Sequence, residues 1–296
     1  MTLTLAARRQ RRRSAAVGLA YLAPALLFYC LLLLVPFLRS VYLSFTSWDG
    51  ISPKQWVGLD NYRSIVESEQ YRAAFLHAFV LIGFYAVLTM AVALLLVGII
   101  GSSRVRGLVV LRTALFLPYV LTPVVTGVAW RWLLAPDGPV NALLRAVGLG
   151  GLARAWLADF TWALPSVGLI GTWMLLGFAL VLLIAGVQRI PTELYESARI
   201  DGAGAVREFL AVTLPGIRNE VTVVTVLSVT AALRNFDLIY VTTQGGPGSA
   251  TEVPSFLVYQ QAFFVGNLGV AAAMGVLLTV LILVLSIVIL RPWRKG

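Results

Sequence analysis

Six long apolar runs dominate this sequence and limit what it can fold into. Each has about the 20 residues that an α-helix needs to cross roughly 30 Å of hydrocarbon, at a rise of about 1.5 Å per residue. A helix also satisfies its own backbone hydrogen bonds, as a segment inside a bilayer must. The sequence therefore predicts an all-α membrane protein with six transmembrane helices. The predicted spans are 15–38, 73–100, 107–134, 162–187, 221–241 and 269–290.

The composition supports this class, because 59% of the 296 residues are hydrophobic and only 12% are charged. A water-soluble surface cannot be built from so few charged side chains. The net charge is +10, and fifteen of the 23 basic residues lie on one predicted side of the bilayer. This asymmetry predicts cytoplasmic termini and argues against nucleic-acid binding. The fifteen are Arg8, Arg9, Arg11, Arg12, Arg13, Arg104, Arg106, Arg112, Arg189, Arg199, Arg207, Arg218, Arg291, Arg294 and Lys295.

Residue types that commonly carry catalysis are scarce in this chain. Cys30 is the only cysteine and lies in the first predicted span, which excludes an internal disulfide. His77, the only histidine, either packs near a helix end or carries a proton. The sequence has no G-x-x-x-x-G-K-[ST] phosphate-binding loop, and its only lysines are Lys54 and Lys295. We therefore expect the chain itself to bind no cofactor or metal and to hydrolyse no ATP.

The longer of the two predicted cytoplasmic loops, 188–220, is predicted to form two short helices. Leu194, Tyr195 and Ala198 share one face of the first, and Gly202 stands where that helix would stop. In the second, the spacing i, i+3, i+4 and i+7 is occupied by Val206, Phe209, Leu210 and Thr213. Periodicity alone leaves two interpretations open, an amphipathic hairpin at the membrane interface or an element that docks a partner.

The same loop resembles the signature of one transporter family. That signature is Glu-Ala-Ala, three residues, Gly, nine residues, an aliphatic residue, one more residue, and Leu-Pro. This chain has Glu196-Ser197-Ala198, Gly202, Val212 and Leu214-Pro215 at that spacing, with Ser197 as the one departure. The stretches WRWLLAPDGPVNAL at 130–143 and FDLIYVTTQGGPGSAT at 236–251 resemble the carbohydrate branch. Over nearly its whole length the chain resembles the permease subunits of bacterial binding-protein-dependent ABC importers for carbohydrates.

This resemblance implies a type I ABC importer permease fold, with a basic cytoplasmic tail at 1–14 and one transmembrane domain at 15–296. It implies that loop 188–220 forms a coupling helix that fits a groove on a cytoplasmic ATPase. The expected coupling residues are Glu196, Ser197, Ala198, Asp201, Gly202, Leu214 and Pro215. It also implies a bacterial inner-membrane complex with a second permease, two ATPase subunits that bind ATP and Mg²⁺, and an extracytoplasmic solute-binding protein.

The resemblance further implies that the two spans flanking this loop line the solute pathway. In the fourth span, aromatic side chains suit the apolar faces of sugars, although a tryptophan here equally suits packing between helices. In the fifth, a small or polar stripe at i, i+4 and i+7 either packs helices or lines a pore. The expected pathway residues are Trp173, Leu175, Phe178, Ser228, Ala232 and Asn235.

These uncharged side chains predict a neutral sugar as the solute. A glycerol 3-phosphate permease shares the signature and stays open as an alternative, but an anion in a low-dielectric passage needs a compensating cation. Arg234 is the nearby candidate, unless it pairs with Asp237 three residues later. A gradient-driven secondary transporter would need buried acids or broken helices near the midplane, and Asp237 is the only acid well inside a predicted span.

Overall fold

The computed structural model describes residues 21–101 and 108–291, and the side chains of 100, 101 and 108–112 are not described. The basic tail predicted at 1–14 and the basic residues Arg104, Arg106, Arg294 and Lys295 therefore lie outside the described residues.

Helices account for most of the described chain, as the sequence predicts. They are α1 (Tyr21–Leu43), α2 (Asp60–Glu67), α3 (Glu69–Ile99), α4 (Leu108–Val120), α5 (Pro123–Leu133), α6 (Pro139–Ala146), α7 (Ala163–Val187), α8 (Thr192–Ile200), α9 (Ala205–Gly216), α10 (Arg218–Leu233), α11 (Asp237–Thr242), α12 (Pro254–Gln260) and α13 (Leu268–Leu290). Turns of π-helix interrupt several of them, and one follows α12 at Gln261–Val265. Two short antiparallel strands, β1 (Thr46–Ser47) and β2 (Gln55–Trp56), pair Thr46 with Trp56 between α1 and α2.

Four straight helices in the described chain are long and apolar enough to cross a membrane, namely α1, α3, α7 and α13. Two further pairs pass the same test only as bent units: α4 with α5, at 106°, and α9 with α10, at 71°. The predicted number of six spans holds if each bent pair counts as one span. Proline explains the first bend, because Pro123 has no N–H and begins a new helix behind the Thr122 cap.

The predicted fifth span differs most from the structure. The sequence predicts one helix over 221–241, whereas α10 ends at Leu233 and α11 begins only at Asp237. The intervening residues are non-helical, and Asn235 therefore does not continue the helical stripe of Ser228 and Ala232. The break itself holds the polar residues Arg234 and Asn235, but apolar residues on both sides of it make 221–241 resemble one continuous helix.

The buried helix α7 organises the packing. One face packs on the C-terminal half of α3 and another on α4. Two of the apolar clusters run along α7, one around Val167 and Ile170 and the other around Leu180 and Leu183. By contrast, α1 lies at the periphery against α13, and its apolar side chains stay exposed within this chain.

Candidate functional site

A cavity of about 510 Å³ opens where the interrupted helices meet α7. Leu121, at the break between α4 and α5, lines it on one side. Arg234, Asn235 and Phe236, at the break between α10 and α11, line it on another. Irregular backbone is tolerated at membrane depth only where protein buries it or where it borders a cavity. The two helix breaks therefore mark this cavity, which we call the central pocket, as the candidate solute site.

Asn235 lines the pocket and carries an unsatisfied hydrogen-bond donor. Its side chain is only 8% exposed, and Nδ2 has no hydrogen-bond partner. Leaving a buried polar group unpaired costs roughly 1–3 kcal/mol. The backbone carbonyl of the same residue is satisfied, because Ser255 Oγ donates to it at 3.1 Å. Asn235 thus places an unpaired, buried amide donor in the pocket wall.

Aromatic rings form much of the remaining wall. Tyr119 from α4 stacks on Phe178 from α7, with ring centroids 4.8 Å apart and planes 19° apart. Both rings line the pocket together with Phe236. Flat apolar faces beside a polar amide suit a ligand that has both apolar faces and hydroxyl groups. Tyr119 is not among the predicted pathway residues, although a tyrosine beside Pro118 in an apolar run was the available signal.

Two charged residues border the pocket as well. Arg234 and Asp237 are both exposed, and neither makes an ion pair in the described part of the chain. The predicted pairing of these two residues is therefore absent from the structure. A cation and an anion both face the pocket, each free to meet a ligand.

The six predicted pathway residues separate into two groups of three. Leu175, Phe178 and Asn235 line the central pocket. Ser228 and Ala232 are instead buried against neighbouring helices, with almost no exposed surface.

Trp173 is the third residue outside the pocket. It is 38% exposed and meets Trp130 edge to face, with ring centroids 5.4 Å apart. The structure thus brings together half of the predicted set. A role in transport stays a prediction for all six.

The loop 188–220 folds into a hairpin of α8 and α9 around a tight turn. Helix α8 ends at Ile200, and Gly202 follows with φ +77°. The N–H of Gly202 donates to Arg199 O at 3.0 Å, and the N–H of Ala203 donates to Ala198 O at 2.9 Å. Left-handed backbone favours glycine, and nothing lies within 4 Å of the position where a Cβ would stand. Gly202 therefore stops the helix and presents open space at the tip of the hairpin.

Side-chain contacts hold the two arms of this hairpin together. The Arg199 guanidinium donates to both carboxylate oxygens of Glu208, at 2.8 and 3.2 Å. This hydrogen bond raises the pKa of Arg199. The hydroxyl groups of Tyr195 and Thr213 also hydrogen-bond at 3.2 Å. Bidentate pairing fixes orientation as well as distance, and it makes the hairpin a defined unit rather than a loose loop.

The predicted coupling residues lie mostly on the surface of the hairpin. Ala198 and Leu214 are half-buried, and the exposed members are Glu196, Ser197, Asp201, Gly202 and Pro215. Ser197 Oγ donates to Leu194 O at 3.0 Å, so this departure from the family signature is accommodated locally. Exposed apolar side chains accompany them, including Ile200, which is 86% exposed, and Val206. Such side chains beside a rigid turn favour contact with a partner.

The base of the hairpin is tied to the two helices that carry the pocket. Arg189, just after α7, forms an ion pair with Glu220 in the first turn of α10. A Cβ on Gly216 would meet the side chain of Ile190 at 2.5 Å, so these segments are in close contact. Movement of the hairpin would therefore displace the ends of both α7 and α10.

Comparison with known proteins identifies the family to which this arrangement belongs. Residues 72–292 match the family of binding-protein-dependent transport system inner membrane components, and the chain belongs to that family. The chain is therefore a multi-pass component of an inner membrane. Within the described residues, no group of three or more His, Cys, Asp or Glu side chains is placed to hold a metal ion.

Several curated relatives match along almost the whole chain. The probable ABC transporter permease protein YurN of Bacillus subtilis is 34% identical over 93% of this chain and 95% of its own length. The diacetylchitobiose uptake system permease protein NgcF of Streptomyces coelicolor is 33% identical over 90% of this chain and 79% of its own length. The trehalose/maltose transport system permease protein MalF of Thermococcus litoralis is 30% identical, with 95% of each chain covered.

A solved structure shows the same fold. It is a chain of a bacterial ABC transporter involved in the import of the acidic polysaccharide alginate, with a TM-score of 0.81. The two chains are 23% identical, and the match covers 97% of this chain and 98% of the other. The predicted type I ABC importer permease architecture is confirmed at the level of the fold.

Proposed function

We propose that this chain is the translocation subunit of an ATP-driven importer and passes a sugar through its central pocket. The observation that carries the proposal is the pocket at two helix breaks, with the unpaired Asn235 amide in its wall, in a chain of this family. A sugar hydroxyl can accept a hydrogen bond from the unpaired N–H of Asn235. The stacked rings of Tyr119 and Phe178 can contact an apolar face of the sugar ring. The named substrates of the relatives support this class, since they include diacetylchitobiose, trehalose and maltose.

The hairpin of α8 and α9 is the proposed contact with a cytoplasmic ATPase. Its rigidity supports this role, because a stiff element transmits the rigid-body motion of a partner that a flexible loop would absorb. The exposed apolar side chains at Ile200 and Val206 suit a groove on that partner, and Gly202 allows close approach. The ion pair between Arg189 and Glu220 would pass the motion to α7 and α10.

The proposed complex contains this chain, a second permease, two ATPase subunits and an extracytoplasmic solute-binding protein. ATP and Mg²⁺ would bind to the ATPase subunits. This chain would contribute no catalytic residue and would keep both termini in the cytoplasm. The family description, which names binding-protein-dependent transport systems, supports the solute-binding protein as a partner.

An anionic solute such as glycerol 3-phosphate is the second candidate. Arg234 favours it, because an unpaired guanidinium faces the pocket. Asp237 opposes it, since this carboxylate lines the same pocket and would repel an anion. A secondary transporter would also suit broken helices, but family membership favours the ATP-driven mechanism.

Uptake into proteoliposomes that contain the complete complex and its binding protein tests the pocket. We expect Asn235→Ala to lower sugar uptake by roughly fivefold to tenfold, because a hydrogen bond is worth about 1 to 1.4 kcal/mol. Thr225→Ala is the matched control, since its hydroxyl already donates to Val221 O on the same helix and lies outside the pocket. Equal uptake by the two variants would remove Asn235 from the pathway.

A further inference from the structure

The segment between α11 and α13, residues 243–267, is fastened to α3 through Glu252. This side chain is only 6% exposed, although it carries a carboxyl group. Gln70 Nε2 donates to Glu252 Oε2 at 2.8 Å. His77, about two turns further along the same face of α3, brings Nδ1 to 2.8 Å from the backbone carbonyl of Glu252. Both the side chain and the backbone of one residue thus hold the segment in place.

Three residues later the same segment contacts Asn235, a residue of the pocket wall. Ser255, in the first turn of α12, donates its hydroxyl to the backbone carbonyl of Asn235 at 3.1 Å. Asn235 belongs to the non-helical break between α10 and α11, where no helical hydrogen bonding fixes the carbonyl. A continuous set of contacts therefore runs from α3 through Glu252 and Ser255 to Asn235, the pocket-lining residue with the unpaired amide.

Resting on the proposed role of the pocket, we propose that Glu252 is a positioning residue that keeps Asn235 in its place in the pocket wall. Glu252 fastens the 243–267 segment to Gln70 and His77, and Ser255 carries that constraint to the Asn235 carbonyl. When the contacts of Glu252 with Gln70 and His77 break, the 243–267 segment no longer constrains the break between α10 and α11. The Asn235 side chain then loses its fixed orientation. The ionisation state of Glu252 thereby controls how strongly the 243–267 segment constrains Asn235 in the pocket wall.

The direction of this pH dependence follows from the surroundings of the carboxyl group. Burial raises the pKa of Glu252, while the hydrogen bond from Gln70 and the charge of His77 lower it by less. Tyr71 is the other titratable group on α3 that acts on it, and α13, which also packs on α12, has no titratable residue. A raised pKa means that the fastened state favours the neutral acid. The attachment of the 243–267 segment to α3 is therefore strongest at a pH below the usual glutamate pKa of about 4.3. It weakens as the pH rises through the raised pKa of Glu252.

Hydrogen exchange of the full chain in lipid nanodiscs, followed by mass spectrometry, tests the proposal without any solute. We expect Glu252→Ala to raise exchange by several-fold in peptides that cover 243–253 and in those that cover 234–237. Ser255→Ala should raise it at 234–237 and leave 243–253 protected, because it cuts only the last contact. Glu67→Gln is the control, since this exposed carboxylate pairs with Arg63 on α2.

A pH comparison separates positioning from simple structural support. After correction for the intrinsic exchange rate, wild-type protection at 234–237 should be lower at a pH above the raised pKa of Glu252 than at a pH below the usual glutamate pKa. Glu252→Gln, which is always neutral, should keep the acid-like protection at both values. Unchanged exchange at 234–237 in Glu252→Ala, or the same pH dependence in Glu252→Gln as in wild type, would overturn the proposal. Loss of sugar uptake in Asn235→Ala tests the pocket independently, so the two failures are distinguishable.

Discussion

At the scale of single residues, two positions carry most of the functional argument, and they differ in how visible they are in the sequence. Gly202 is predictable, because its place in a spaced signature coincides with the end of a helix and its φ of +77° requires glycine. Asn235 is also selected by the sequence, but as part of a helical stripe. The structure instead puts it in a break, where its amide is left without a partner.

Substitution at Gly202 tests the hairpin as the coupling element. Gly202→Arg should abolish substrate-stimulated ATP hydrolysis in the reconstituted complex while the chain still inserts, because the turn is strained and the open space at its tip is filled. Glu196→Ala should be milder. Gly204→Ala is the matched control, since Gly204 has an ordinary φ of −73° and open space around it. Normal stimulation in Gly202→Arg would remove the hairpin from the mechanism.

At the scale of elements, hydropathy predicts where the spans lie but not where they bend. The run at 107–134 is apolar throughout, yet α4 and α5 meet at 106° near Pro123. Prolines are tolerated in straight transmembrane helices when neighbours satisfy the freed carbonyls, so Pro118 and Pro123 alone do not distinguish a kink from a sharp turn. The central pocket lies at this bend and at the break between α10 and α11, so its full wall was beyond prediction from the sequence.

The crossing of α4 and α7 depends on a glycine contact. A Cβ on Gly177 would lie 2.0 Å from the carbonyl oxygen of Leu115, and backbone cannot rotate away as a side chain could. Gly177→Ala should cost about 1–3 kcal/mol and lower the thermal unfolding temperature in detergent. Gly275→Ala in α13 is the control, because its Cβ would meet nothing within 4 Å. Equal unfolding temperatures for both variants would show that α4 and α7 can move apart at Gly177 with no loss of folding free energy.

At the scale of the whole molecule, the coupling hairpin and the 243–267 segment are predicted to lie on opposite sides of the bilayer. The basic residues predict this orientation, with fifteen on the side of loop 188–220. Both regions offer an exposed serine, Ser197 in α8 and Ser249 in the turn before α12.

Cysteine labelling tests that orientation. With Cys30→Ala as the parent, Ser197→Cys and Ser249→Cys should react with a membrane-impermeant thiol reagent from opposite sides of sealed vesicles. The unsubstituted parent, which has no cysteine left, should not react at all. Reaction of both single-cysteine variants from the same side would contradict the predicted topology.

Uptake by the complete complex tests the central claim, that the chain is the translocation subunit of an ATP-driven sugar importer. Proteoliposomes with all ion gradients dissipated should take up a neutral sugar only when ATP is enclosed with the ATPase subunits and the binding protein is present outside. Glycerol 3-phosphate should not be taken up, because Asp237 shares the pocket with Arg234. Sugar uptake driven by an ion gradient without ATP, or strong glycerol 3-phosphate uptake without sugar uptake, would contradict the account.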